Sequence, residues 1–328
     1  MRCFKDCLLA ALLSLMPLMA GFSAAEAAYP AEPIRIIVPW PAGGGTDNIA
    51  RAFAAALEKA LDATVLVDNV VGAGGITGTF QVAKAKPDGY TLLLQGSSDL
   101  STAMIFQKTP FTLEDFDFLC AFYSTPTWVL AHKDRGYATL KDFLDAAEKN
   151  PGTLTLASAT PAGAQLLFAA GIHGYTGGKF RIVPYQGGGP FRKGMLSNEA
   201  DAGIVHSPVM LPEVKDGLIR VLATGQPLDK ITYAPLQKTI SLKEMGIPLE
   251  VGITRGIMLP KGIATEVRDK LLEACKKAAV SQSFTDFGLQ FGFSPIWMEG
   301  GDFKKLLVGE LATFSTVKEK FMDSQQKQ

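Results

Sequence analysis

The stretch Ile34-Arg35-Ile36-Ile37-Val38-Pro39-Trp40-Pro41-Ala42-Gly43-Gly44-Gly45-Thr46-Asp47 decides the fold of this chain. Ile34 to Pro39 is a short, almost wholly apolar run and reads as a buried strand. Three glycines follow. From Asp47 to Leu61 the residues Ala50, Phe53, Ala54, Leu57 and Leu61 then fall on one face at 3-4 spacing, which makes that segment a helix. Strand, Gly-rich loop and helix in succession are the building unit of an α/β protein with mainly parallel sheets.

The same grammar extends outward on both sides of the next loop. Thr64 to Val67 reads as a second strand, Ile76 to Lys84 as a second helix and Tyr90 to Gln95 as a third strand. Pro87-Asp88-Gly89 between them is a turn, because it combines a fixed φ, an Asx side chain and a residue that tolerates positive φ. Farther on, Thr139 caps a helix that Asn150-Pro151-Gly152 ends, and Leu154–Ala157, Arg181–Val183, Asp201–Val205 and Ile219–Ala223 read as strands with helices between them. Two more helices are expected from Ala264 to about Val280 and from Asp302 to about Met322. The long aromatic run from Phe116 to Ala131 suits a strand that crosses from one lobe to another.

Composition narrows the function. A chain of 328 residues suggests two domains, and 47% apolar with 20% charged residues describes a folded globular protein. Its 32 basic and 32 acidic residues cancel, so the electrostatic footprint of a nucleic-acid binder is missing. His132, His173, His206 and four cysteines are scattered without CxxC or HExxH spacing, so neither a metal nor a cofactor is expected.

Arg2 and Lys5 precede an apolar run from Cys7 to Phe22 that contains Pro17, and Ala25-Glu26-Ala27 follows as an A-x-A site. Residues 1–27 therefore read as a secretory signal peptide rather than a spanning helix, which needs about 20 apolar residues. Cleavage near Ala27 places the mature chain in the periplasm and leaves only Cys120 and Cys275, read as a free buried pair rather than a bridge.

Four Gly-rich loops each follow an expected strand and open a helix, at Pro41–Asp47, Gly72–Gly78, Ser158–Gly163 and Gln186–Pro190. Ligands of open α/β sheets bind outside the carboxyl ends of the strands, where such loops lie. Glycine admits close backbone approach, and a helix start leaves N–H donors unpaired, so an anion fits there without Lys or Arg. The candidate ligand-binding residues are Trp40, Ala42, Gly43, Gly44, Gly45, Thr46 and Asp47 in the first loop, and Gly72, Gly74, Gly75 and Thr77 in the second. Ser97 and Ser98 after the third strand join them, as do Thr160, Ala162, Gly163, Gln165, Gly187, Gly188, His206 and Ser207 from the later half. Asp47 and Asp99 read equally as helix caps, and a carboxylate at Asp99 would repel an anion unless it faces away or meets an amine. A dinucleotide fingerprint at Gly72-Ala73-Gly74 fails, because its last position is Thr77 and Gly78 comes one residue late.

These stretches resemble the Bug family, the tripartite tricarboxylate transporter (TctC-like) periplasmic substrate-binding proteins. The resemblance is carried by YPAEPIRIIVPWPAGGGTDNIAR at 29–51, DNVVGAGGITG at 68–78 and AKAKPDGYTLL at 83–93. It continues through DFDFLCAFY at 115–123, NPGTLTLAS at 150–158, VPYQGGGP at 183–190 and IRVLATG at 219–225. The resemblance implies the type II periplasmic binding protein fold, two α/β lobes with a ligand cleft between them. It places 28–128 and 250–328 in lobe 1 and 129–249 in lobe 2, with the C-terminal segment returning to lobe 1. It also implies a carboxylate held by backbone amides of Ala42–Asp47 and Gly72–Thr77, with the second-lobe loops at the ligand's other end. Two departures stand out: Trp40 where Phe is usual, and Gly163-Ala164-Gln165 where a Gly-Ser pair and a nearby His are usual. Trp40 either faces the cleft or packs beneath the loop.

The expected function is capture of a small carboxylate-bearing metabolite by a monomeric receptor and its delivery to integral-membrane permease subunits, without catalysis. A sensor subunit reporting to a membrane receptor shares that binding step. An exported enzyme is the remaining alternative, and no G-x-S-x-G elbow is present to support it.

Overall fold

The computed structural model describes residues 29–160, 163–226 and 239–323; the expected signal peptide, residues 1–27, lies outside them. The described residues from Glu32 onward form one compact unit. Its framework is set by β1 (Ile34–Val38), β2 (Val65–Asn69) and β3 (Thr91–Gly96), which are parallel with β1 in the middle. The helices α1 (Gly45–Leu61) and α2 (Ile76–Ala83) connect them. Beyond β3 the sheet turns antiparallel through β9 (Gly252–Pro260), then β4 (Phe116–His132), with β10 (Ser294–Glu299) also pairing β4. A second parallel set, β5 (Thr155–Ser158), β6 (Arg181–Pro184) and β7 (Ala202–His206), forms the other lobe, and β8 (Ile219–Thr224) lies antiparallel to β4.

The 17-residue β4 belongs to both lobes. From Phe116 to Pro126 it pairs β9, and from Thr127 onward it pairs β7 and β8. The change of partners falls at Pro126, a residue with no N–H to give a ladder. Thr127 instead donates its N–H to the Val251 carbonyl at 3.2 Å, just before β9 begins. The long aromatic run thus crosses between lobes as its pattern suggests.

Apolar cores flank this strand on both sides. In the first lobe Ile37, Leu93, Phe116, Phe118, Phe303 and Leu307 pack together, and Phe53 of α1 stacks on Phe122 of β4 with centroids 3.6 Å apart. The second lobe buries Phe143, Leu156, Phe168, Ile204 and Leu222. Its α4 (Leu140–Lys149) starts with a reciprocal cap, Thr139 with Asp142, and its α5 (Ala164–Thr176) and α6 (Gly188–Leu196) follow β5 and β6. The remaining helices are α3 (Ser97–Phe106), α7 (Leu211–Lys215), α8 (Thr265–Ala279), α9 (Gln282–Phe291) and α10 (Gly300–Val317).

The C-terminal segment packs against both cores. β10 pairs β4, and the early part of α10 places Phe303 and Leu307 in the first core. Farther along the same helix, Phe314 and Val317 join the second core, and the Phe321 ring meets Tyr175 of α5 at 4.8 Å. The helix end crosses because its apolar residues outrun the first-lobe face and find the open side of α5. The helix itself ends at Val317, short of the expected Met322, and a wider turn carries the chain over Lys318–Asp323.

Between the two cores α10 is pinned to α3 by a carboxyl group. Ser97 and Ser101 donate to Glu310 Oε1 and Oε2 at 2.8 and 2.9 Å. Burial pushes the Glu310 carboxyl up to about 8, against the two serine bonds and with the Asp99 charge adding to the rise. Between its ordinary value of 4.5 and about 8 the folded chain therefore holds a proton that the unfolded chain has lost, so stability falls as pH rises through that window. In urea unfolding at pH 5, 6.5 and 8, Glu310→Gln is expected to lose this downward slope, and identical pH dependence in both proteins would refute the assignment.

Cys120 of β4 and Cys275 of α8 are buried and unbridged. Burial, and then the neighbouring Cys275 thiol, push the Cys120 thiol well above its usual range. A protein comprising residues 28–328 is accordingly expected to leave Ellman's reagent unreacted until denatured, and then to release two thiol equivalents; one or none on denaturation would show a modified or bridged pair.

Candidate functional site

A cavity of about 390 Å³ opens between the carboxyl ends of the two parallel sets of strands, a size suited to a small solute. Among the candidate residues, Trp40, Thr46, Gly74, Thr160, Gly163, Gln165 and His206 line it. The first lobe adds Asp99, Thr102, Ala103 and Phe106 from α3, then Gln107, and Arg255 from β9; the second adds Ala164.

The first loop is organised around Asp47. Gly44 is the helix N-cap and Asp47 reaches back, accepting the Gly43 N–H at 2.8 Å. Asn69 and Arg51 donate to the same carboxylate, both at 2.9 Å. Burial by itself would raise this carboxyl, but the bonds from Arg51, Gly43 and Asn69 outweigh it and hold it below its ordinary value. Asp47 therefore serves the loop and not the cavity. The loop also keeps two amides for itself, because the Gly44 N–H goes to the Pro41 carbonyl. Ala42, Gly43, Gly44 and Gly45 shape the approach to α1, and only Thr46 of the glycine-rich run reaches the cavity wall.

The second loop behaves similarly. Gly75 and Thr77 both donate their N–H to the Gly72 carbonyl, at 3.0 and 3.4 Å. Gly72 has φ +152°, and a Cβ there would meet Thr77 Oγ1 at 2.4 Å, so this position needs glycine. Of this loop only Gly74 lines the cavity. Trp40 packs against Gly75, where an added Cβ would lie 3.4 Å from its ring, and its indole N–H points to Gln95 Oε1 at 3.4 Å. Trp40 thus does both things open to it: it packs on the loop and faces the cavity.

Ser97 and Ser98 are fully buried and outside the lining; Ser97 serves Glu310 and also accepts the Thr254 N–H. In the second lobe, Thr160 Oγ1 donates to Gln165 Oε1 at 2.9 Å, and Gly163 starts α5 at φ +99°. Ala162 lies outside the described residues. Gly187 caps α6 with its N–H on the Ala159 carbonyl, and Gly188 packs by Val209, both away from the cavity. Ser207 begins the turn after β7.

Arg255 is the residue that loop reasoning passes over, because glycine loops alone were taken to suffice for an anion. It stands in the middle of the fully buried β9, only 8% exposed, with its partners Gly96 on β3 and Tyr123 on β4. Its Nη2 donates to Thr46 Oγ1 at 3.0 Å, while its Nε has no partner. A lone charge in the apolar run Gly252–Pro260 was the available signal. The α3 wall had one too, since Asp99, Thr102, Ala103 and Phe106 repeat at 3-4 spacing.

His206 meets Thr127 Oγ1 through Nδ1 at 3.0 Å. Burial, then the Arg255 charge, lower its imidazole to about 3, so it is neutral at physiological pH and Arg255 is the cation of the wall. Between about 3 and 6.5 the unfolded chain binds a proton that folded His206 refuses, so its contribution to stability is lost as pH falls through that range. In a proton NMR titration its ring signals are expected to stay fixed from pH 8 down to 5; a midpoint near 6.5 would place the ring in solvent.

Comparison with known proteins identifies the family and the fold. Residues 49–321 match the model of the tripartite tricarboxylate transporter family receptor, TctC. The chain is 31% identical to Protein BugT of Bordetella pertussis over 290 residues, 85% of this chain and 88% of that one. The crystal structure of a TctC solute binding protein from Polaromonas superposes with a TM-score of 0.78 at 29% identity, covering 89% of this chain and 99% of the other. A protein of R. palustris solved with adipate shares the fold at 23% identity and a TM-score of 0.75, over 89% and 98% of the two chains. The chain belongs to the tripartite tricarboxylate transporter family of receptors.

Proposed function

We propose that this receptor works in the periplasm, where it captures a small carboxylate-bearing metabolite in the cavity and hands it to the integral-membrane subunits of a tripartite permease, with no chemical step. The observation that carries this reading is the Arg255 guanidinium, buried in the cavity wall with a donor unspent. A carboxylate is the planar acceptor that matches a guanidinium. Each charge-assisted bond contributes about 1.5–3 kcal/mol net. Two from Arg255 with one or two from the Thr46 and Gly74 backbone reach the roughly 8 kcal/mol of micromolar binding. The adipate held by the R. palustris protein of this fold is a solute of the same class.

In this reading residues 1–27 direct export and are removed. The lobes, 28–128 with 250–328 and 129–249, close on the solute as a monomer, and the permease recognises the closed form. Contacts from both lobes to one ligand favour closure, because only the closed state makes them all.

The test is thermal unfolding of residues 28–328, stripped of carried-over solute by unfolding and refolding. The panel is mono-, di- and tricarboxylates, each beside its amide. A ligand at a thousand times its Kd stabilises by about 4 kcal/mol, which raises Tm by several degrees. A shift from an acid and not from its amide is expected; no shift from any acid would remove the carboxylate reading.

A further inference from the structure

The cavity wall carries a guanidinium and a carboxyl group that do not close on each other. Arg255 Nη2 stands 4.0 Å from Asp99 Oδ2, too far for a hydrogen bond. An ion pair built only to stabilise the fold closes to direct, often bidentate contact. This one stays open on the side where both residues line the cavity.

Both groups are held in place from behind. The guanidinium rests over the Tyr123 ring at 5.1 Å and is anchored by Thr46, which leaves Nε unpartnered. Asp99 sits in the first turn of α3, three residues after Gly96, the residue that pairs Arg255 across the sheet. A Cβ at Gly96 would come within 2.7 Å of Asp99 Oδ2, so the bare glycine is what lets the carboxylate approach the arginine.

We propose that Arg255 and Asp99 together select a zwitterion: a solute whose carboxylate docks on the Arg255 guanidinium while its ammonium group docks on Asp99. This rests on the reading of the cavity as a carboxylate receptor and names the class of carboxylate. With His206 neutral, Arg255 is the cation of the lining, and Asp99 is a carboxyl that burial pushes up while the Arg255 charge pulls it down, so an incoming ammonium group supplies the second cation that holds it ionised. A plain carboxylate drawn to Arg255 leaves the buried Asp99 carboxyl without a cation of its own, and a dicarboxylate adds a second uncompensated anion in a buried place. An α-amino acid carries its two charges on one carbon and balances both partners at once. Trp40, Ala103 and Phe106 leave an apolar wall for its side chain.

The experiment compares each amino acid with the acid that lacks its amine: L-leucine with 4-methylpentanoate, L-phenylalanine with 3-phenylpropanoate, and L-glutamate with glutarate. Calorimetry and thermal shift are run on the refolded mature protein, on Asp99→Asn and on Arg255→Gln. Loss of one charge-assisted bond corresponds to roughly ten- to a hundredfold in affinity. The wild type is expected to prefer at least one amino acid over its des-amino partner by that factor. Asp99→Asn should erase the preference while retaining the des-amino acid, and Arg255→Gln should weaken both. The wild-type comparison stands even if a variant fails to fold. Des-amino acids that bind as tightly as amino acids, or a preference that survives in Asp99→Asn, would overturn the zwitterion reading and leave carboxylate binding intact. Silence from every acid in both arms would overturn both readings together.

Discussion

The antiparallel ladder between β4 and β9 is the constraint on which the rest of this molecule depends. It runs from the Phe116–Pro260 pair to the Pro126–Gly252 pair, and it is where the two lobes are joined. On one side it carries β3, and through it the parallel strands of the first lobe. At its far end β4 changes partners, and Thr127 binds back to Val251. The ladder also fixes the chemistry, because Arg255 projects from its middle. A guanidinium in that position is held by three strands before any ligand arrives, so little of its freedom remains to be lost on binding.

Much of the architecture was legible because period and punctuation agree along the chain. Ile34–Pro39 followed by glycines and the 3-4 pattern from Ala50 to Leu61 leaves little choice but a strand and a helix, and both are present. Phe116–Ala131 was readable as a crossing strand because no glycine and only one proline interrupts it. What was not legible depended on partners distant in sequence. β9 offers no alternation, since all nine of its residues are buried and it sits between two strands. The crossing of α10 into the second core also follows from where α5 happens to lie.

The site divides along the same line. The glycine-rich loops were legible, but not which of their amides stay free. Gly43, Gly44, Gly75 and Thr77 spend their N–H groups inside their own loops. Local sequence announces a tight turn but does not say which donors the turn consumes. Arg255 and the α3 face line the cavity as well, and they come from elements whose sequence looks like ordinary core.

The last turns of the chain have a bearing on how the molecule assembles. The first lobe needs β9, β10 and α10 to complete its sheet and core, and the second needs Phe314 and Val317 to cover Phe168 and its neighbours. Neither half is therefore a finished folding unit when its own strands have been made. Closing these contacts joins residues about two hundred positions apart, such as Ser97 and Glu310, and such distant closures come late in folding. A chain made only as far as β10 lacks the pieces that would lock it, so the order of synthesis itself keeps the protein open until α10 is available.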